Sequence, residues 1–162
     1  MEPRIDVMQN EFGAKLAKRL FAVHGLLQQT ALPHATQNLV MLRASQINGC
    51  GHCIDIHAKE AAAEGETTTR LNLVAGWRHS TVFTEEEQAA LALTEEATRL
   101  ADASEGVSDE TWARAAKYYD EDQLIALVTL IAMINATNRM AVTFNQLGGS
   151  YEPGLMAAAV GN

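Results

Sequence analysis

Two cysteines and two histidines lie within eight consecutive residues in the first third of the chain. They are Cys50, His52, Cys53 and His57, and the chain has no other cysteine. A thiol reacts as its thiolate, a form that a helix N-terminus or a nearby histidine favours. If a helix begins near Gly51, Cys53 lies in its first turn and His57 shares its face. The spacing predicts a dithiol in which Cys53 is activated and Cys50 can close a disulfide.

Four interpretations of this segment compete: two packed small residues, a zinc site, a thioredoxin-like or disulfide-isomerase motif, and a helical peroxidase centre. Zinc would use Cys50, Cys53 and His57 and still need a fourth ligand. The remaining histidines, which do not lie at a familiar zinc-finger spacing, are His24, His34 and His79. A thioredoxin-like fold needs a strand before its Cys-x-x-Cys motif. Here a helical stretch, residues 39–44, precedes the motif.

Length and composition favour one soluble helical domain. The chain has 162 residues, a length that is sufficient to bury a hydrophobic core. Hydrophobic residues make up 48% of it and aromatic residues only 6%. Its formal net charge of −8 argues against nucleic acid or an anionic membrane surface as a partner. The first residues lack the apolar run of a secretory signal, and no apolar stretch reaches the roughly 18 residues of a membrane span. We therefore expect a cytoplasmic protein, in which a Cys-x-x-Cys pair is seldom a structural staple.

Helical periodicity recurs along the chain, and no segment alternates convincingly at period two. Apolar spacing and capping residues predict about six to seven helices. The predicted segments are residues 10–30, 36–47, 51–64, 67–75, 84–103, a helix from 108, and 122–144. Thr84 and Glu87 have the spacing of a capping box. The fold class is all-α, with one domain over 1–162 and a loose tail over 146–162 that could dock on the body or on a neighbouring subunit.

A longer pattern surrounds the cysteine pair. It reads Leu42-Arg43-Ala44-Ser45-Gln46-Ile47-Asn48-Gly49-Cys50-x-x-Cys53-x-x-x-His57. Further matching segments are Lys59-Glu60-Ala61, Gly65-Glu66-Thr67, Arg70-Leu71, Ala75-Gly76-Trp77-Arg78, Phe83-Thr84-Glu85 and Ile134-Asn135-Ala136-x-Asn138-Arg139. Over residues 36–145 this pattern resembles the AhpD-like alkylhydroperoxidases of the carboxymuconolactone decarboxylase superfamily.

The resemblance implies an all-α helical bundle that acts as a thiol-dependent peroxidase and assembles as a homo-oligomer, a trimer or a hexamer. It implies that Cys53 attacks the peroxide, Cys50 resolves the product and His57 transfers protons. His52 also belongs to the family pattern, with a less defined role in tuning the thiols. No metal, haem, flavin or other cofactor is implied.

Small organic hydroperoxides are the expected substrates, because Ile47, Ile54 and Ile56 would surround the thiols with apolar groups. A lipoyl-type or thioredoxin-like dithiol is the expected reductant. A second hypothesis is a redox adaptor that passes electrons from a dithiol carrier to a peroxiredoxin partner. A third is an enzyme acting on a lactone, which the cysteine pair disfavours because the decarboxylase branch does not rely on one.

One position departs from the family pattern. The family commonly has a glutamate twelve residues before the first cysteine, which feeds a proton relay toward the histidine, and here that position is Asn38. An amide cannot accept a proton as a carboxylate does. Glu60, three residues after His57, is a possible substitute, although a solvated surface role is the preferred interpretation.

Several other polar residues in the matching region need partners. Gln46 and Asn48 are expected to bond the backbone of the turn that precedes the cysteine pair. Asn135, Asn138 and Arg139 lie on an otherwise apolar helix, and buried polar groups must be hydrogen-bonded. We expect them to bond the motif region or a subunit interface. Trp77 and Phe83 are expected in the core or at an interface.

Overall fold

The computed structural model describes residues 2–103 and 105–155, which form seven α-helices, one 3₁₀ helix and no strand. The α-helices are α1 (Glu11–Leu27), α2 (His34–Ile47), α3 (Gly51–Ala63), α4 (Thr68–Leu73), α5 (Glu85–Thr98), α6 (Asp109–Ala116) and α7 (Glu121–Thr143), and the 3₁₀ helix, Val74–His79, follows α4. The all-α prediction is confirmed, and each predicted helix is present. Where one helix was predicted over 67–75, the structure has the short α-helix α4 followed directly by the 3₁₀ helix.

Helix α2 is central and packs against α3, α5 and α7. Its apolar side chains contribute to two buried clusters. One cluster joins α2 to α5 and α7 through Val40, Met41, Ala44, Ala90, Leu93, Leu127, Leu130, Ile131 and Ile134. The other places Trp77 and Phe83 against Leu39, Leu42 and Leu91. Trp77 and Phe83 were expected in the core or at an interface, and the structure places both in the core.

Polar side chains tie the end of α2 to the middle of α7. The Asn48 amide donates to Asn135 Oδ1 at 3.0 Å and to Asn138 Oδ1 at 2.9 Å. Asn138 in turn donates to Ser45 Oγ at 3.1 Å, and Arg139 donates to the Asn135 carbonyl at 3.0 Å. The expectation that Asn135 and Asn138 bond the motif region is confirmed. The expectation for Asn48 is wrong, because its amide bonds side chains of α7 and not the turn backbone.

A buried carboxylate fastens α2 to α5 and to the 3₁₀ helix. Glu95 accepts hydrogen bonds from Arg43 Nη2 at 2.5 Å and from Trp77 Nε1 at 2.9 Å. Arg78 Nη2 adds a third donor at 2.9 Å. Burial raises the pKa of Glu95, but these donors outweigh burial and hold it below its usual value. Gln46 contacts the same arginine, since it accepts from Arg43 Nη1 at 3.4 Å, so its expected bond to the turn backbone is also wrong.

Helix α5 begins as predicted and ends earlier than predicted. Thr84 and Glu87 form the predicted capping box. The helix stops at Thr98, however, and not near residue 103. Glu96, in its last turn, accepts from the backbone and hydroxyl of Ser108, the N-cap of α6. The chain must leave the helix between these two residues in order to turn back.

Two helices present apolar side chains to the exterior. On helix α1, Phe12 is 73% exposed and Leu26 is also exposed. Helix α7 carries exposed Ile125, Val128 and Val142. Helix α7 is long and apolar enough to cross a membrane, but the core helix of a soluble protein meets the same criteria. Of the apolar 18-residue window within α7, 44% is buried inside the protein.

The asparagine network before the cysteine pair predicts a stability effect. Replacing the fully buried Asn138 by alanine removes partners of Asn48 and Ser45. We expect the free energy of unfolding to fall by about 1–3 kcal/mol, because buried polar groups are left without partners. Urea unfolding followed by circular dichroism measures this change. Thr129→Ala, on the same helix, is the control, and an equal loss in both variants would contradict the network's importance.

Candidate active site

The turn between α2 and α3 sets the position of both cysteines. Gly49 has φ +65°, the left-handed conformation that glycine adopts without strain, and it ends α2 so that α3 can begin at Gly51. Cys50 is the N-cap of α3, and its Sγ accepts from the Cys53 backbone N–H at 3.3 Å. The predicted helix start near Gly51 is confirmed. Cys53 thus lies in the first turn, where the unpaired N–H groups favour a thiolate.

The two cysteines are joined to each other in this structure. Cys50 and Cys53 form a disulfide with their Cα atoms 5.4 Å apart, and both are buried. In residues 2–103 and 105–155 no group of three or more histidine, cysteine, aspartate or glutamate side chains is arranged to hold a metal ion. The same part of the chain lacks the strand that a thioredoxin-like fold places before its motif.

A cavity of about 530 Å³ opens beside Cys53. Three histidines line it together with Cys53: His24 from α1, and His52 and His57 from α3. Most of the remaining wall is apolar and is built by α1, α2, α7 and the segment after α7. Of the isoleucines expected around the thiols, Ile56 lines the cavity, whereas Ile54 packs against the core cluster of Trp77. Ile47 is not part of the cavity wall.

His57 is the buried histidine of this cavity. It is 6% exposed, and its ring forms no hydrogen bond within the described part of the chain. Burial lowers the pKa of His57 to about 3, with smaller contributions from the charges of His24 and His52. His57 is therefore neutral at physiological pH, and its nitrogens are available to a thiol or a substrate in the cavity.

His52 has a partner outside the dithiol. Its Nδ1 donates to the Leu147 carbonyl at 3.2 Å, and this bond leaves Nε2 as the acceptor of the neutral ring. Leu147 belongs to the segment after α7, so His52 connects the first turn of α3 to that segment.

The segment over residues 146–155, here called the strap, docks along α3. Asp55 accepts from the backbone N–H groups of Gly149 at 2.6 Å and Tyr151 at 3.1 Å. Lys59 donates to the Tyr151 carbonyl at 2.8 Å. Lys59 also forms a hydrogen bond to Asp55, and this bond is the main reason that the pKa of Asp55 is lowered to about 2. Gly148 lies so close to Gly51 that an added Cβ would be 2.4 Å from its carbonyl oxygen. The predicted loose tail is thus an ordered wall of the cavity as far as residue 155, and its residues 156–162 lie outside the described residues.

Two residues considered for a proton relay have other partners. Glu60 is half-buried and accepts from the Tyr151 hydroxyl and from the Gly154 N–H at 2.9 Å, so it holds the strap. The preferred interpretation of Glu60 as a solvated surface carboxylate is therefore wrong. Asn38 is buried, and its amide donates to Glu64 Oε2 at 2.7 Å.

Among the cavity-wall residues that sequence reasoning did not place at the site are His24 and Tyr151. His24 lies four residues after Leu20 and three before Leu27 on the predicted helix, a spacing that places a polar group among apolar ones and could have drawn attention to it. Tyr151 carried no such signal, because its place depends on how the strap docks.

An all-α fold that places a Cys-x-x-Cys pair at a helix start, with a histidine one turn later, defines an AhpD-like protein. The chain belongs to the carboxymuconolactone decarboxylase family, whose model matches residues 11–96. The resemblance identified in the sequence is confirmed.

Relatives and solved structures agree with this assignment. The chain is 36% identical over 123 residues to the uncharacterized protein YdfG of Bacillus subtilis, covering 76% of this chain and 82% of that protein. It is 30% identical over 112 residues to the uncharacterized protein YnjA of Escherichia coli, covering 69% and 60%. A protein of unknown function from Agrobacterium tumefaciens, described as a candidate antioxidant defence protein AhpD, superposes with a TM-score of 0.85 at 30% identity, covering 93% of this chain and all of that one. The debrominase Bmp8 superposes with a TM-score of 0.73 at 18% identity over 93% and 77% of the two chains, a likeness that shows the fold alone.

The buried, neutral state of His57 predicts a pH effect on stability. The unfolded chain binds this proton with the ordinary pKa of 6.5, whereas the pKa in the folded protein is about 3. The stability that neutral His57 confers is thus fully present above pH 6.5 and is lost as the pH falls toward 3. Between pH 7.5 and 5, we expect the oxidised wild type to lose about 2 kcal/mol more unfolding free energy than His57→Gln.

Urea unfolding at the two pH values measures this difference. The exposed His79 offers the matched control, since His79→Gln is expected to keep the pH dependence of the wild type. An identical pH dependence in the wild type and His57→Gln would show that the imidazole is not held neutral by burial.

Proposed function

We propose that this protein is a thiol-dependent peroxidase that reduces organic hydroperoxides through the Cys50–Cys53 pair. The observation that carries the proposal is the cavity, in which Cys53 at a helix N-terminus and the neutral base His57 face an apolar space. Membership of the AhpD-like proteins supports it.

The cycle begins with the reduced pair. His57 takes the thiol proton of Cys53, and the N-terminus of α3 stabilises the thiolate. The thiolate sulfur attacks the terminal oxygen of the hydroperoxide, the O–O bond breaks, and the alkoxide leaves with the proton as an alcohol. Cys53 is then a sulfenic acid, and the Cys50 thiol displaces its oxygen as water to form the disulfide. An external dithiol of lipoyl or thioredoxin type restores the two thiols by exchange.

The cavity wall favours an organic hydroperoxide over hydrogen peroxide. Met41, Met133 and Met140 contribute flexible apolar side chains, which adapt to irregular ligands. A volume of about 530 Å³ lies within the range of pockets that enclose small organic ligands. Apolar surface on the substrate would be removed from water on binding, a gain that hydrogen peroxide cannot provide.

Assembly and location belong to the same proposal. The exposed apolar side chains of α1 and α7, among them Phe12, Leu26 and Val128, support a homo-oligomer, a trimer or hexamer, that covers these faces. A cytoplasmic location suits a dithiol that must be reduced again after each turnover.

Cysteine variants test the proposed cycle. With cumene hydroperoxide and a dithiol reductant, we expect Cys53→Ser to lower turnover at least a hundredfold, because the attacking thiolate is missing. Cys50→Ser is expected to retain the first reduction, giving one equivalent of alcohol and a Cys53 sulfenic acid that dimedone labels. Peroxide consumption and mass spectrometry measure both results.

A wild-type rate no greater than that of Cys53→Ser would refute direct peroxide reduction. If peroxide then oxidised the pair only after a peroxiredoxin was added, the redox-adaptor function would replace the peroxidase. Double Cys→Ser protein that still processed a lactone would point to the third hypothesis.

Filling the cavity tests whether it is the substrate site. Ala17→Phe adds a ring to the cavity wall from α1. We expect kcat/KM for cumene hydroperoxide to fall about tenfold or more, and for hydrogen peroxide to change less than twofold, because only the larger substrate needs the volume. The control is Ala22→Phe, on an exposed position of the same helix. Equal losses for both substrates would place the organic hydroperoxide elsewhere.

A further inference from the structure

Tyr151 is held by side chains of α3 through three polar groups. Its backbone N–H donates to Asp55 Oδ2 at 3.1 Å, its carbonyl accepts from Lys59 Nζ at 2.8 Å, and its hydroxyl donates to Glu60. Asp55 and Lys59 are one helical turn apart and form an ion pair of 2.8 Å between Oδ1 and Nζ. The backbone of Tyr151 and the far end of its ring are therefore both fixed to the helix that carries Cys53.

The strap that carries Tyr151 runs in contact with the turn of the dithiol. Gly51 and His52 are the two residues between the cysteines. A Cβ added at Gly148 would lie 2.4 Å from the Gly51 carbonyl oxygen, and His52 Nδ1 is 3.2 Å from a carbonyl oxygen of the strap. The strap thus cannot move closer to this turn, and Tyr151 lines the cavity beside Cys53.

The cavity lies between a tightly packed wall and the strap. Met41, Leu130 and Ile134 line it from α2 and α7, and each is at most 5% exposed. A close-packed interior does not yield to a larger ligand without strain. On the strap, by contrast, Tyr151 is half-buried and Leu155 is 57% exposed. Extra substrate volume is therefore more easily accommodated at the strap than against the core.

The character of the wall leaves size as the basis of selection. Among the described residues that line the cavity, none is a lysine, arginine, aspartate or glutamate. An ionised group on a ligand would lose its water here without gaining a charged partner, so the cavity suits an uncharged organic group. Methionines in the wall adapt to the shape of such a group. A tyrosine ring that is held at both ends does not adapt, and it sets a limit.

We propose that Tyr151 is the specificity-determining residue of this site and limits the size of the uncharged organic group that reaches Cys53. This inference rests on the proposed function in so far as the organic group belongs to a hydroperoxide. Compact hydroperoxides such as cumene hydroperoxide are then substrates, whereas much bulkier ones such as triphenylmethyl hydroperoxide are excluded by the ring.

Maleimides of two sizes test the proposal without any peroxide. In Cys50→Ser protein, where serine keeps the N-cap and Cys53 is the remaining thiol, we measure the ratio of alkylation rates with N-(1-pyrenyl)maleimide and N-ethylmaleimide. We expect Tyr151→Ala to raise this ratio about tenfold, because removing the ring admits the larger reagent. Tyr151→Phe keeps the ring without its bond to Glu60 and is expected to give a smaller rise. Tyr151→Trp, with a larger ring, is expected to lower the ratio.

Tyr118 provides the matched control. It is also half-buried and its hydroxyl also donates to a carboxylate, that of Glu85, but it does not line the cavity. We expect Tyr118→Ala to keep the ratio of the Cys50→Ser parent. A variant that is merely loosened changes the rates of both reagents together, so the ratio separates size selection from a structural effect. Circular dichroism checks that each variant is folded.

The same change is then made in the protein with both cysteines. We expect Tyr151→Ala to raise the kcat/KM for triphenylmethyl hydroperoxide relative to that for cumene hydroperoxide about tenfold. An unchanged hydroperoxide ratio beside a shifted maleimide ratio would show that hydroperoxides enter by another route, and would overturn the proposal.

The failure of this proposal can be told from the failure of the peroxidase. Folded Tyr151→Ala and Tyr151→Trp proteins with the parent's maleimide ratio would overturn the role of Tyr151 and leave peroxide reduction intact. Shifted maleimide ratios in a protein that reduces no hydroperoxide would support the role of Tyr151 in size selection and refute the peroxidase.

Discussion

The hydrogen bonds of the Asn48 amide are the constraint on which the site depends. They join the end of α2 to Asn135 and Asn138, which lie 87 and 90 residues further along the chain. The turn held in this way ends α2 and delivers Cys50 as the N-cap of α3. Because the network is buried and its donors are paired, any displacement of the turn would leave polar groups unsatisfied, and this cost keeps the dithiol at the helix start.

The same packing that places Cys53 also determines the behaviour of His57. The His57 imidazole lines a cavity that α1, α3 and α7 help to build, and its burial keeps it neutral at physiological pH. His24 of α1 lines the same cavity, so imidazoles from α1 and α3 share this space with Cys53.

The strap shows how a polar surface can build an apolar cavity. The backbone of the strap is held along α3 by hydrogen bonds with three side chains, those of Asp55, Lys59 and Glu60. Tyr151 and Leu155 thereby close part of a wall that helices alone do not complete. The close approach at Gly148 leaves no room for a side chain, so the strap's path is determined by contact as well as by charge.

The helices, the start of α3 and the pairing of Cys53 with His57 on one face could be predicted from the sequence. Each depends on residues a few positions apart, through capping and helical spacing. The partners of Asn48, Glu60 and Asn38 could not be predicted, because each partner lies on a different element. The places of His24 and Tyr151 in the cavity wall could not be predicted either, because they depend on how α1 and the strap pack against the other helices. Local chemistry was therefore determined by the sequence, whereas the surroundings that set its charge and its access to substrate were decided by how distant helices pack.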